Sequence, residues 1–184
     1  MGWTNFFKIK EPYFPKVVQS FSFMAKTFQD KSLITSTIKG VEIILTPEIL
    51  AKILCITTEG VTVYNNTWYR EEIACRTELL HKMFNPTDDK IDHVSSKIKP
   101  AYKLFHSMCQ HALLPRSRRK DIVLENDIWQ MHHLYTCEII NLPNMIIQHM
   151  IFVTARFSLY LFCYYLYVFI CTYMWLIASV CILG

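Results

Sequence analysis

From Phe157 to Gly184, "FSLYLFCYYLYVFICTYMWLIASVCILG", the chain has no charged residue, whereas everything before Arg156 is an ordinary mixture of charged, polar and apolar residues. No other feature constrains the fold as strongly, because a bilayer core of about 30 Å is crossed by roughly 20 apolar residues in a helix and this stretch is longer. Its Leu, Ile, Phe and Val residues each favour insertion by about 0.3–0.6 kcal/mol near the bilayer centre, on the order of 4–8 kcal/mol together. Ser158, Thr172 and Ser179 offset little of that. The expected layout is therefore a domain over residues 1–155 and a hydrophobic, transmembrane-like helix over 156–184. Arg156 is the nearest cation, which keeps the domain on the cytoplasmic side. The same composition, rich in Phe, Tyr, Cys, Leu and Ile, is also what T-rich codons yield when non-coding DNA is translated, and the tyrosines are scattered, not gathered into two interfacial belts. If the stretch is not translated, the domain is expected in the nucleus or cytoplasm.

The 184 residues carry a net charge of +4, too mild to imply a nucleic-acid protein by balance alone. The seven cysteines are odd in number and show no CxxC pair, so they are not a disulfide framework and are expected to be small buried thiols. Met1–Lys10 lacks the apolar run of a secretory leader.

Apolar residues at Phe14, Val17, Val18, Phe21, Met24, Ala25 and Phe28 predict an amphipathic helix between Pro12 and Gln29. "LITSTIKGVEIIL" then predicts two strands about Lys39-Gly40, with Gly40 supplying the positive φ of a tight turn. "TPEILAKIL" predicts a short helix with Thr46 as its cap, Pro47 in the first turn and Glu48 at the positive end of the dipole. Gly60 ends the following loop, and "VTVY" is a candidate strand. A helix is predicted from Trp68 to Phe84, with Asn66 or Thr67 as its cap and Asn85-Pro86 and Asp88-Asp89 as its closing turn. The next starts near Lys99-Pro100 and runs to Pro115, with the apolar series Ala101, Leu104, Phe105, Met108, Cys109, Ala112 and Leu113. Asn126 or Asp127 caps "IWQMHHLYTCEII", with Ile128, Met131, Leu134, Tyr135 and Ile139 as its apolar face. Pro143 opens a last helix. The fold class is mainly α with one small β-hairpin, an α+β domain.

Three blocks in this order resemble the plant family called the putative plant transposon protein domain, found in retroelement-derived open reading frames. They are "YFPKVVQSFSFMAKTF", then "STIKGVEIILTPEILAKILCITTEGVTVY" with Trp68 beyond it, then "AYKLFHSMCQHALLPRSRRKDIVLENDIWQMHHLYTCEIINLPNMIIQHM". The resemblance spans about residues 11–155 and implies an origin in a transposable element. It carries over no catalytic residue. The departure is after Met150, where ordinary mixed polarity gives way to the uncharged stretch.

A strand-transfer enzyme needs three carboxylates around two metals, but Asp88, Asp89, Asp92, Asp121, Glu125 and Asp127 fall in turns or at helix starts, where capping explains them. Four glycines cannot build a phosphate-cradling loop. His106 with Cys109 and His133 with Cys137 share helical spacing and could offer zinc four ligands, yet two core cysteines flanked by histidines explain the spacing as well. The expectation is no enzyme, no metal and no cofactor. The one candidate contact site is the basic run Arg116, Arg118, Arg119 and Lys120, which could meet phosphates of nucleic acid weakly and without sequence preference, or be only a solvated loop. Otherwise the expected partner is the lipid bilayer, through residues 157–184.

Overall fold

A computed structural model describes residues 15–28, 30, 32–62, 76–86, 93–113 and 120–156. The protein is mostly helical with a small three-stranded antiparallel sheet, an α+β arrangement. The described residues fall into two compact units, one built from 15–58 with 142–156 and the other from 59–141.

In the first unit, here the sheet unit, α1 (Pro15–Met24) leads into β1 (Lys26–Phe28), β2 (Leu33–Ile38) and β3 (Val41–Leu45), a meander in the order β1-β2-β3. The predicted helix to Gln29 is thus too long. Residues 26–28 carry an apolar spacing that suits a helix, but Lys26, Thr27 and Phe28 pair instead with Thr35, Ile34 and Leu33. A ladder of backbone hydrogen bonds to a neighbouring strand outweighs a local preference that is worth only tenths of a kcal/mol per residue. The hairpin stands as expected, Ile38 opposite Val41 across Lys39-Gly40. Both turn residues have positive φ, +49° and +82°, the mirror-image turn whose twist matches the strands.

The helix α2 (Pro47–Leu54) starts as its sequence demands: the Ile49 N–H donates to the Thr46 hydroxyl at 3.3 Å and Pro47 occupies the first turn. The Thr46 hydroxyl, with the Glu48 backbone N–H, also holds the Glu48 carboxyl below the usual carboxylate range. α2 ends on Cys55 in the left-handed conformation. The last helix, α6 (Leu142–Arg156), packs on α2, β1 and β2, and Gln148 Nε2 donates to the Ser32 hydroxyl at 2.6 Å. One face of the sheet supplies Ile34, Ile43 and Leu45 to a core completed by Phe21 of α1, Leu50 and Leu54 of α2, and Ile146, Ile147 and Met150 of α6. The hydroxyl of Ser36, buried in this core, donates to the Phe21 carbonyl at 2.8 Å.

The helical unit holds α3 (Arg76–Met83), α4 (Pro100–Met108), a π-helix over Cys109–Leu113, and α5 (Glu125–Thr136). The predicted start of α3 at Trp68, its Asn66 or Thr67 cap and the turn at Asp88-Asp89 lie outside the described residues, as does most of "VTVY". Val61 makes an isolated parallel bridge to Ile140 and no strand. Gly60 has φ +105°, and a Cβ there would stand 2.3 Å from the Ile139 carbonyl oxygen, so only glycine fits where Val61 N–H reaches that carbonyl at 2.9 Å. The chain leaves α3 by Phe84, bridged to Ile98, and enters α4 through Lys99, whose N–H donates to the Met83 carbonyl at 2.8 Å.

The apolar series predicted to face the core along α4 is right only in part. Cys109 and Leu113 are buried and Phe105 and Met108 half-buried, but Leu104 is 67% exposed and Ala101 is exposed, while Tyr102, His106 and Gln110, outside the series, are buried. The buried face includes polar side chains that hydrogen-bond, so a count of apolar positions misplaces part of the stripe. The π-helix then inserts wider turns after Met108 and breaks the 3.6 period on which that count depends. Similarly, α5 buries Trp129, Gln130 and His133 beside the expected Ile128, Met131 and Leu134, whereas Tyr135 and Ile139 are exposed. Ile139 lies beyond the helix, which stops at Thr136 because Cys137 turns left-handed.

The expectation of buried thiols also needs correction, because Cys109 is buried but Cys55 and Cys137 are exposed, each at a left-handed helix end. Among the described residues no helix is long and apolar enough to cross a membrane. The stretch 157–184, on which the transmembrane-like helix was expected, lies outside them.

Candidate functional site

The basic run can be approached only through its neighbours, since Arg116, Arg118 and Arg119 lie outside the described residues. Lys120 is exposed in a turn. Its carbonyl accepts from Gln110 Nε2 at 2.8 Å, and that amide stands 3.0 Å from His106 Nε2. A glutamine amide nitrogen that faces a carbonyl is a donor, so the ring nitrogen beside it is placed to accept. Asp127 Oδ2 is 3.9 Å from His106 Nε2, beyond hydrogen-bond reach, and accepts the Leu124 N–H at 2.9 Å. Neither Asn126 nor Asp127 is the N-cap that the sequence suggested: the cap position is Leu124, the helix begins at Glu125, and Asp127 reaches back to the Leu124 N–H from the third helical residue.

Residues 120–123 are held from a second side. The Asp121 carbonyl accepts the Ser95 N–H at 2.7 Å, the Val123 N–H donates to the His93 carbonyl at 2.8 Å, and Val94 bridges Ile122. The start of α5 is tied to α3 by Arg76, whose guanidinium grips both carboxylate oxygens of Glu125. These bonds make a rigid exit for the basic run, and their chemistry is that of holding backbone in place. The buried polar cluster behind it was missed by the sequence reading. The one signal that could have found it is the i, i+4 spacing of His106 and Gln110, one turn apart on the same side of a helix.

The four proposed zinc donors are not brought together. His106 meets Gln110, Cys109 is buried, His133 pairs with Glu138, and Cys137 is an exposed helix end. Among the described residues no three His, Cys, Asp or Glu side chains converge as metal ligands. The acids Asp88, Asp89 and Asp92 lie outside the described residues, while Glu125 and Asp127 are engaged by Arg76 and by the Leu124 N–H.

A second group lies at the surface of the helical unit. Tyr102 and Tyr135 stack with centroids 4.6 Å apart, and Phe105 meets Tyr135 edge-on. Burial, then the neighbouring Tyr135, pushes the Tyr102 hydroxyl up, against an opposing pull from Lys82. Burial also holds His132 below the ordinary imidazole value, with Glu138 opposing.

A family model described as putative plant retrotransposon-related domain matches residues 1–164. The match contains the three blocks from which the resemblance was read and runs on into the uncharged stretch as far as Tyr164. No match is found among curated proteins or among solved structures.

Proposed function

Because the chain belongs to the family of the putative plant retrotransposon-related domain, we propose that it is a non-enzymatic domain derived from a retroelement and held at a membrane by residues 157–184. The observation that carries the membrane reading is the uncharged stretch itself, which begins where α6 ends at Arg156. That the family match enters this stretch supports its being part of the protein. The non-enzymatic reading rests on the sequence, where no motif for phosphoryl transfer, proteolysis or phosphate cradling occurs.

Translation of the chain in the presence of phosphatidylcholine vesicles, followed by carbonate extraction and flotation, tests the anchor. The full chain is expected to float, and a chain ended at Arg156 to stay in the dense fraction. Recovery of the full chain in the carbonate supernatant would remove the membrane reading. Metal-dependent strand transfer on DNA would remove the non-enzymatic one.

A second reading, contact with nucleic-acid phosphates through Arg116, Arg118, Arg119 and Lys120, is supported by the four positive charges within five residues and by the exposure of Lys120. Four such contacts give a salt slope of about −3 to −4 for duplex DNA. Retention on DNA that is indifferent to salt would exclude this reading.

A further inference from the structure

The two edges of the sheet are not alike. β1 is three residues long, begins with Lys26, and has α6 packed against it. β3 is five residues, Val41-Glu42-Ile43-Ile44-Leu45, with no lysine, no proline and one charge. Natural edge strands are usually kept short, charged or covered, because their free N–H and C=O groups invite another strand. Here Ile44 is 43% exposed and Val41 is also exposed, on the strand that lies outermost in the sheet.

The register specifies which backbone groups are free. Ile38 and Val41 flank a two-residue turn and so exchange both hydrogen bonds, and the alternation along the hairpin makes Ser36 with Ile43 and Ile34 with Leu45 the next such pairs. The N–H and C=O of Glu42 and Ile44 consequently point away from β2, toward an edge where no strand lies among the described residues.

We infer that this edge pairs, antiparallel, with the same edge of a second copy of the chain, continuing the sheet across a twofold axis at Ile43. The axis follows from the free groups and from charge. With it at Ile43, Glu42 lies opposite the partner's Ile44 and exchanges hydrogen bonds with it. Val41 then lies opposite the partner's Leu45. Every cross-strand pair is apolar or contains a single charge, and β-branched pairs of this kind each add a few tenths of a kcal/mol. Placing the axis at Glu42 would set two carboxylates against each other, which is destabilising. Placing it at Ile44 would set Glu42 opposite the partner's Thr46, whose carbonyl already accepts the Leu50 N–H. The axis at Ile43 is thus the one that gives every free group of Glu42 and Ile44 a partner, and a strand complementary to itself in this way favours a second copy over an unrelated strand. An interface of this length belongs to the small, weak class, with Kd on the order of 10–100 µM.

The test is density-matched sedimentation equilibrium of the full chain in non-ionic detergent, from about 5 to about 200 µM, with Ile44→Lys and Ile44→Pro as variants. Ile44 does not donate to β2, so proline removes an outward N–H and leaves the hairpin ladder whole. The wild type is expected to pass from monomer to dimer, and each variant to raise Kd by about tenfold or more. Backbone hydrogen exchange of the wild type gives a second readout that needs no variant. Protection of the Glu42 and Ile44 amides is expected to rise with concentration while that of Ile43, already bonded to Ser36, does not. A monomer at every concentration overturns the inference. So does a dimer that both variants leave intact, or one in which Glu42 and Ile44 exchange freely.

Discussion

The sheet unit and the helical unit bury different chemistry. In the sheet unit the buried residues are almost all apolar, and the buried Ser36 hydroxyl is satisfied by a backbone carbonyl. The helical unit buries His106, Gln110, Asp127, Gln130 and His133 among its apolar residues. The difference teaches where apolar periodicity can be trusted. It locates a core face when burial follows hydrophobicity, and misleads when polar side chains are buried to fix a backbone.

Glycine substitutions set the two units furthest apart. Gly60→Ala places a methyl group against the Ile139 carbonyl at positive φ, and is expected to destabilise the helical unit by about 3 kcal/mol or more. Gly40→Ala also meets positive φ but open space, and is expected to cost the sheet unit about 1 kcal/mol. Urea denaturation of both variants, with segment-resolved hydrogen exchange to assign the loss, measures the gap, and equal costs would break the comparison.

The helix caps come next. Asp127→Ala strips a buried acceptor from the Leu124 N–H and should cost about 2–3 kcal/mol, against about 1 kcal/mol for Thr46→Ala at the half-buried end of α2. The same denaturation curves decide whether the buried cap is the stronger.

Gln130 sharpens the contrast in the opposite direction. It is fully buried, and neither end of its amide has a hydrogen-bond partner among the described residues. Gln130→Met, similar in shape and apolar, is expected to stabilise the helical unit by about 1–2 kcal/mol, seen as a higher Tm. A loss of stability would mean that the amide has a use that burial alone does not reveal.

The smallest effect is on pH. Burial lowers the His132 pKa in the folded chain, so the unfolded chain binds the proton more readily. The contribution is complete above the ordinary imidazole value of about 6.5 and is lost as pH falls below it. A shallow fall in helical-unit stability through that window is expected in the wild type and a smaller one in His132→Gln.

Turn and cap chemistry made most of the sheet unit legible. Lys39-Gly40 and Thr46-Pro47 are local signals, complete within a few residues, and both elements formed where they pointed. β1 was not legible, because three residues at helical spacing become a strand only when β2 lies beside them. In the helical unit, helix α5 was readable and its buried face only in part. The His106–Gln110 contact has a local spacing that the sequence displays, but the bond from Gln110 to the Lys120 carbonyl, across the turn, has none. Of the candidate site itself, the basic residues were plain in the sequence, and the fixed carbonyl beneath Lys120 was not.

What the sequence determined alone was whatever depends on neighbours a few residues away: family membership through its three blocks, the hairpin turn, the capped helix, and the abrupt loss of charge at Phe157. What only the tertiary structure decided was which side chains are buried and which backbone groups are left open, including the β3 edge. Burial and strand pairing are settled between residues far apart in the chain, and the free energy of such contacts exceeds the local preferences that a sequence displays.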